Sequence, residues 1–462
     1  MYSGLKTQTE TDLLFKHYLE RNYFNLFRRY DSNKFIELYI RGDCPSKCSY
    51  CYLQKHLNDL YPREYDTEEH ILPNVKKFMD FYIENDFVCN LELFSGRLFQ
   101  DEMGIEVLKI LYDTFNSHPF NPRPREILIP DDMQFLLDKN ITKQIISYIN
   151  KFKNLGIRVV FSASVDGYYI DQFRYGGRGE DFYNSLRQFT QQFDFSFHPM
   201  CSASNVKYWV KNYDWWRQFI EDDFYQHIMV LEVRDDNWGL DNIRDYLKFQ
   251  NHIMEILFND CNKDPQKYLD CLDRRADGHI HRCRMPFDLD FEGSIHDPHC
   301  DGLSCAYQKT LHIRMGDLAI VPCHRLAYPQ LTSAYLIGDN HIDEVRSKNA
   351  SMFLMADNIK CRALPKCSNC GFAHACIGPC LGANYESMGD PFYTPDSVCD
   401  LLRYKITFQI EKFKQLGIHD YILKNPHSYS RSEQYIAVSS AAEEFLQDFN
   451  VSAVIKEILC QN

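Results

Sequence analysis

A chain of 462 residues with 45% hydrophobic content has room for roughly two to three domains with real cores. Its 51 basic and 64 acidic side chains leave a net charge of −13, which argues against non-specific binding to nucleic acid or to an anionic membrane surface. Met1 to Thr7 show no charged stretch leading into an apolar core, and no run is long enough to span a membrane. The 18 cysteines are therefore expected as thiols or metal ligands in a reducing cytoplasm rather than as disulfides.

Asp12 to Arg29 is predicted as a helix, with Leu13, Leu14, Tyr18, Leu19, Tyr23, Leu26 and Phe27 near helical spacing. Phe35 to Ile40 reads as a buried parallel strand. Directly after it comes Asp43-Cys44-Pro45-Ser46-Lys47-Cys48-Ser49-Tyr50-Cys51-Tyr52, a C-x3-C-x2-C pattern with an aromatic just before the third thiol. Soft thiolates this close in sequence favour an iron–sulfur cluster or zinc. On a [4Fe–4S] cube three cysteines leave one iron without a protein ligand, free to bind a small molecule. A zinc knuckle is the competing reading.

An alternation follows. Helices near 68–85, 105–115, 142–155, 182–192 and 208–219 precede strands at Val88–Phe94, Glu126–Ile129, Arg158–Ser162, Phe195–Met200 and His227–Val233 respectively. Repeated βα units imply a parallel sheet with right-handed crossovers, and six strands rather than eight imply a partial barrel. The cysteine loop then lies at the C-terminal end of the first strand, where β/α barrels place their active sites. Asp241 to Phe258 reads as the closing helix, 259–285 as a charged bridging segment, and 401–416 and 441–459 as helices of a C-terminal tail.

Between the bridge and the tail the chain is rich in Cys, Gly and Pro and short of periodic segments. It buries too little apolar surface to hold itself together, so metal must act as a staple. Here stand Cys367-x2-Cys370-x5-Cys376-x3-Cys380 and then Cys399, with Cys300, Cys305 and Cys323 upstream. Leu311–Arg314 and Leu318–Val321 flank Met315-Gly316-Asp317 and predict a β-hairpin with a turn glycine. By spacing alone, two zinc sites of four thiolates each compete with clusters.

The first cysteine motif resembles that of the radical S-adenosylmethionine (SAM) superfamily, and the second resembles the SPASM domain of its peptide- and protein-modifying members. The resemblance covers roughly residues 35–400. It implies an α/β fold, a partial (β/α)6 TIM-like barrel with a Cys-rich Fe–S auxiliary domain and a helical C-terminal tail. The segments would be 1–34 (N-terminal helix), 35–258 (barrel), 259–285 (bridge), 286–400 (SPASM) and 401–462 (tail). In such a protein Cys44, Cys48 and Cys51 hold a [4Fe–4S] cluster whose open iron chelates SAM. Cys300, Cys305, Cys323 and Cys380 would hold one auxiliary [4Fe–4S] cluster, and Cys367, Cys370, Cys376 and Cys399 the other. Cys283 in place of Cys300, or an open iron in the first of these, remain alternatives.

The resemblance also assigns SAM contacts. Ser95 and Gly96 match the small residues of a Gly-Gly-Glu-Pro-like loop, and Arg97 stands where the glutamate belongs. That departure leaves the SAM ammonium to backbone carbonyls near Ser95, or sets Arg97 on the SAM carboxylate. Ser164 and Asp166, in a Ser-x-Asp-Gly segment, are candidates for ribose, Arg174 for charge pairing nearby, and Tyr50 for the cofactor site. Cys201, at the end of the fifth strand, is a candidate hydrogen donor or substrate-contacting thiol; His198, His324, Glu232 and Arg234 read as structural.

The implied activity is reductive cleavage of SAM to a 5′-deoxyadenosyl radical and hydrogen abstraction from a peptide or protein side chain. Thioether formation, a C–C or C–O crosslink, or epimerisation would follow. Formylglycine generation and a small-molecule substrate are alternatives, and a non-catalytic Fe–S or zinc module is the alternative of another class. The implied partners are a peptide or protein substrate and an external flavodoxin- or ferredoxin-type electron donor. With about 34 residues before the first strand, leader recognition is expected from a separate protein or from the bridge and tail.

Overall fold

The computed structural model describes residues 8–29, 35–60, 65–220, 230–276, 310–337, 341–345, 364, 366–376, 380–429 and 431–460. The expected cluster ligands Cys300 and Cys305, and the alternative Cys283, lie outside them. The chain divides into two compact units. The first comprises Met1–Val165, Arg178–Ser196 and Cys305–Asn358; the second comprises Asp166–Gly177, Phe197–Ser304 and Ile359–Asn462.

The first unit is organised by one large, mostly parallel sheet. Strands β1 (Phe35–Tyr39), β2 (Asn90–Phe94), β3 (Glu126–Asp131) and β4 (Arg158–Ala163) run parallel in sequence order. Their connections carry the helices Glu68–Glu84, Met103–Ser117 and Lys139–Asn154. Helix boundaries follow local chemistry. Asp138 caps Lys139–Asn154 by accepting from the Asn140 and Ile141 amides. At the other end Gly156, at φ 76°, closes a Schellman turn, with Ile157 N donating to Phe152 O and Gly156 N to Lys153 O. An aromatic cluster of Phe24, Phe27, Phe81 and Phe87 packs at centroid distances of 5.4–6.4 Å. Burial of such a ring stabilises by about 1.5–3 kcal/mol.

The predicted hairpin forms as β8 (Thr310–Arg314) and β9 (Ala319–Val321), and β8 lies parallel against β1, so the hairpin continues the sheet. Beyond it come β10 (Ala334–Ile337) and β11 (His341–Val345), both antiparallel to their neighbours. The turn does not use its glycine as expected. The left-handed residue is Leu318, at φ 57°. Gly316 is needed for space, because a Cβ there would lie 2.8 Å from the Tyr65 carbonyl. Asn74 donates to the carbonyls of both Met315 and Gly316.

The expected strand Phe195–Met200 is broken. β5 (Phe195–Phe197) ends the large sheet, while β6 (Met200–Cys201) pairs in parallel with β7 (Leu231–Glu232) as a separate two-stranded sheet. Pro199 stands in the break, and its missing N–H ends a ladder. Of the expected strand His227–Val233, residues 227–229 lie outside the described ones.

The second unit packs β6 and β7 with the helices Trp209–Phe219, Leu240–Asp260, Asp396–Gln415, Ser432–Phe445 and Phe449–Leu459. Trp209 and Trp216 are fully buried, and Gln409 donates to Gln250 in the interior. Among the described residues no helix is long and apolar enough to cross a membrane.

Candidate active site and cysteine recess

The Cys44–Cys51 loop follows β1 after a short irregular stretch and is held by its neighbours. The Arg41 carbonyl accepts from Gly96 N at 2.9 Å and from Ser95 Oγ at 3.3 Å. The Arg41 guanidinium grips Asp101 at 2.8 and 3.1 Å. Gly96 is required by close packing, since a Cβ there would meet the carbonyl oxygens of Asp43 and Gly42 at 2.5 and 2.6 Å. Gln54 donates to the Cys44 carbonyl, and Cys51 N to the Cys48 carbonyl. All three thiols are partly exposed, and burial raises the Cys44 thiol.

Arg97 and Ser95 are both buried. The Arg97 guanidinium donates to Ser46 Oγ inside the loop at 2.7 Å and pairs with Asp132, just past β3. Asp132 and its neighbour Asp131 did not emerge from sequence reasoning; the paired acids after a predicted strand were the available signal. Asp131 accepts from Met133 N through one oxygen, and its other oxygen has no hydrogen-bond partner. Burial, then the charge of Asp132, push the Asp131 carboxyl up to about 7. Tyr50 is buried beside the third thiol, and Tyr52 packs under Arg325, whose guanidinium carbon sits 4.6 Å from the ring centre. Ser164 N donates to the Asp131 carbonyl.

In the second unit Asp166 is fully buried; it pairs with Arg174 at 3.1 Å and accepts from Met200 N at 2.9 Å. Its carbonyl takes hydrogen bonds from Asn212 and Trp216. Gly167, at φ 108°, lies so close to these two side chains that a Cβ would meet both at 2.6 Å. Cys201 is also fully buried, and burial followed by the charge of Glu232 keeps its thiol protonated. Glu232 accepts from Lys405 at 2.8 Å and from Tyr246. Burial raises its pKa, but Lys405 and then Arg234 prevail and hold it at about 2.

Cys367, Cys370, Cys376, Cys380 and Cys399 line one recess, together with Arg234, Lys366 and Arg403. Burial and then the neighbouring Cys376, Cys399 and Cys370 push the Cys367 thiol up to about 12. Burial likewise pushes Cys399 up to about 11, against Arg403 and Lys366. Converging sulfurs of this kind stay protonated unless a cation sits among them. Cys323, the other described ligand candidate, lies between β9 and the short helical turn His324–Leu326 of the first unit. All described cysteines are unbridged.

No family model and no curated protein matches the chain. Solved structures do. Native anSMEcpe with bound AdoMet and the Cp18Cys peptide aligns at a TM-score of 0.51 and 14% identity, over 84% of this chain and 99% of that one. Native anSMEcpe with bound AdoMet aligns at 0.52 and 15%, over 83% and 98%. Streptococcus suis SuiB aligns at 0.45 and 13%, over 84% and 81%, a score too low to argue from. At such identities a likeness establishes architecture alone: this chain shares its α/β fold with those two anSMEcpe structures.

Proposed function

We propose that the chain is a radical SAM enzyme that modifies a peptide or protein side chain. The observation that carries this reading is the loop itself. Three thiols in C-x3-C-x2-C spacing follow the first strand of a parallel sheet and are clamped by Arg41, Ser95 and Gly96 on one side and by Ser46, Arg97 and Asp132 on the other. A [4Fe–4S] cluster held there would supply an open iron for SAM and, once reduced, the one electron that splits SAM into methionine and a 5′-deoxyadenosyl radical able to abstract hydrogen.

The residues fit such a group. Cys367, Cys370, Cys376, Cys380 and Cys399 converge on one recess, and the soft thiolate donors of both sets suit an iron–sulfur cube. Cys44, Cys48 and Cys51 would hold the cluster that binds SAM, and Cys367, Cys370, Cys376 and Cys399 an auxiliary one. Gly96 lets the β2 loop approach the cysteine loop. Arg97 is committed to Asp132 and Ser46, so the SAM ammonium falls to backbone carbonyls near Ser95.

The peptide or protein substrate rests on the pairing of the two cysteine motifs and on the peptide held by anSMEcpe. A flavodoxin- or ferredoxin-type donor would supply the electron. The test is anaerobic reduction of the reconstituted protein with SAM, read as 5′-deoxyadenosine. Absence of that product, with the protein carrying a full iron load, points to a non-catalytic Fe–S module. Co-expression with candidate peptides and mass spectrometry then reads the bond: a loss of two hydrogens for a crosslink, uptake of one deuterium from heavy water for epimerisation.

A further inference from the structure

Glu37 sits in the middle of β1. Its in-register partner on β8 is His312, and in-register neighbours on adjacent strands project to the same face. His324, in the turn after β9, reaches the same carboxylate. The Nδ1 atoms of His312 and His324 lie 2.9 Å from Glu37 Oε1 and Oε2 respectively. Glu37 and His312 are 2% and 1% exposed, and His324 is 29% exposed.

These contacts are not all hydrogen bonds. His324 Nδ1 has donor geometry toward Oε2. His312 Nδ1 lies 2.9 Å from Glu37 Oε1 as a close ion-pair contact, and His312 Nε2 has no hydrogen-bond partner. A buried imidazole nitrogen left without a partner is costly. A buried carboxylate likewise needs a counter-charge. Among the described residues, this is the only group of three or more His, Cys, Asp or Glu side chains whose ligating atoms all lie within 4.8 Å of one another.

We propose that Glu37, His312 and His324 bind one divalent transition-metal ion of the zinc type, a site separate from the cysteine sets. Two imidazoles and one carboxylate suit zinc and its neighbours, whereas magnesium and calcium prefer all-oxygen shells. Three protein ligands leave room for water. Phe94 stacks on His324 at 4.6 Å with the rings 9° apart, and Tyr52 packs at 6.0 Å, so the ring plane is fixed. The partial exposure of His324 offers the ion an entry. Once bound, the ion ties β1, β8 and the segment that carries Cys323 together, so its role is to staple the hairpin onto the sheet.

The test uses the full-length protein with its clusters reconstituted anaerobically, then given one equivalent of Zn²⁺ and desalted. Zinc outcompetes ferrous iron for such donors, so it is a fair probe even for a site that natively takes iron. About one zinc per chain is expected, with a zinc absorption-edge spectrum showing N/O scatterers at about 2.0–2.1 Å. His312→Gln and His324→Gln should weaken zinc retention at least about tenfold while leaving iron and sulfide in place. No zinc retained by the unmodified protein overturns the proposal. So does a spectrum dominated by sulfur at about 2.3 Å, which would put the zinc in a cysteine site. The spectrum of the unmodified protein decides the matter even where a core variant fails to fold.

Discussion

Arg97 sets Nε and Nη2 against one carboxylate oxygen of Asp132, at 3.0 and 2.8 Å, and Ser46 donates to that same oxygen at 3.0 Å. One buried pair thereby fastens the cysteine loop to the ends of β2 and β3. Taking away the cation leaves Asp132 buried and unbalanced, which costs about 3–5 kcal/mol. Arg97→Leu should lower the thermal midpoint and the iron content together. Arg97→Lys keeps the charge but loses the two-pronged grip, so it should fall between. Arg97→Leu with Asp132→Leu should recover stability relative to Arg97→Leu, though not the fastening of Ser46. If Arg97→Leu matches the parent in both readouts, the pair is dispensable.

The two cysteine sets should lose metal separately. Cys44→Ala, Cys48→Ala and Cys51→Ala combined should remove about four irons per chain and all 5′-deoxyadenosine formation, and leave the C-terminal iron in place. Cys367→Ala with Cys399→Ala should do the converse to iron, and should also weaken the second unit, because those thiols line its recess. Iron, sulfide and electron paramagnetic resonance of the reduced protein check both. A single variant that empties both sites would show that they are not independent.

Part of this architecture is legible in the sequence and part is not, and the division has physical causes. The cysteine loop is local, with three cysteines in eight residues after one strand, so its spacing can be read directly. The hairpin at Leu311–Val321 is local too, although Leu318 rather than Gly316 supplies the left-handed residue. The β1–β8 pairing was not legible, because a parallel register between distant segments leaves no periodicity to read. Glu37 and His312 meet only through that register. The Arg97–Asp132 pair has the same origin, in the neighbouring ends of β2 and β3. Arg97 looked like a departure from a cofactor-binding pattern, and its buried partner lay two elements away.

Asp131 should make the fold less stable as pH rises from mildly acid to neutral. Its native pKa, about 7, lies above the ordinary 3.8. Between those values the native carboxyl keeps a proton that the unfolded chain has lost, so stability declines as pH rises from about 4 to about 7 and then levels off. Asp131→Asn can still accept from Met133 N, and it cannot ionise. It should stabilise the protein above pH 7 relative to the parent, by at most about 4 kcal/mol, with no gain near pH 4. Thermal midpoints of both proteins across pH 4–8 measure this; parallel curves would contradict it.

Glu232 should behave with the opposite sign. Held at about 2, it contributes stability that is complete above about 4.5 and is lost as pH falls through the native value. Lys405→Met removes its cation and should cost about 3–5 kcal/mol at pH 7. The cost should shrink below pH 5, where the carboxyl can take a proton. Adding Glu232→Gln should restore part of the loss by removing the stranded charge. Equal midpoints for Lys405→Met and the parent at pH 7 would mean that Tyr246 and Arg234 balance the carboxylate without help.

Gly96 gives the most local test of the cysteine loop. A Cβ there would press against the Asp43 and Gly42 carbonyls at 2.5 and 2.6 Å, and also the Asp43 carbonyl carbon at 2.9 Å. All three are backbone atoms that no rotamer change can move aside. Gly96→Ala must therefore displace the residues just before Cys44, where the chain enters the cysteine loop. The second unit has no part in that contact, so its iron should be retained. The N-terminal cluster should lose occupancy, and the spectral change on adding SAM to reduced protein should weaken at least about tenfold, the scale of a misplaced supporting contact. Unchanged SAM response in Gly96→Ala would mean that the two loops can separate without consequence, and that the cofactor is positioned by other residues.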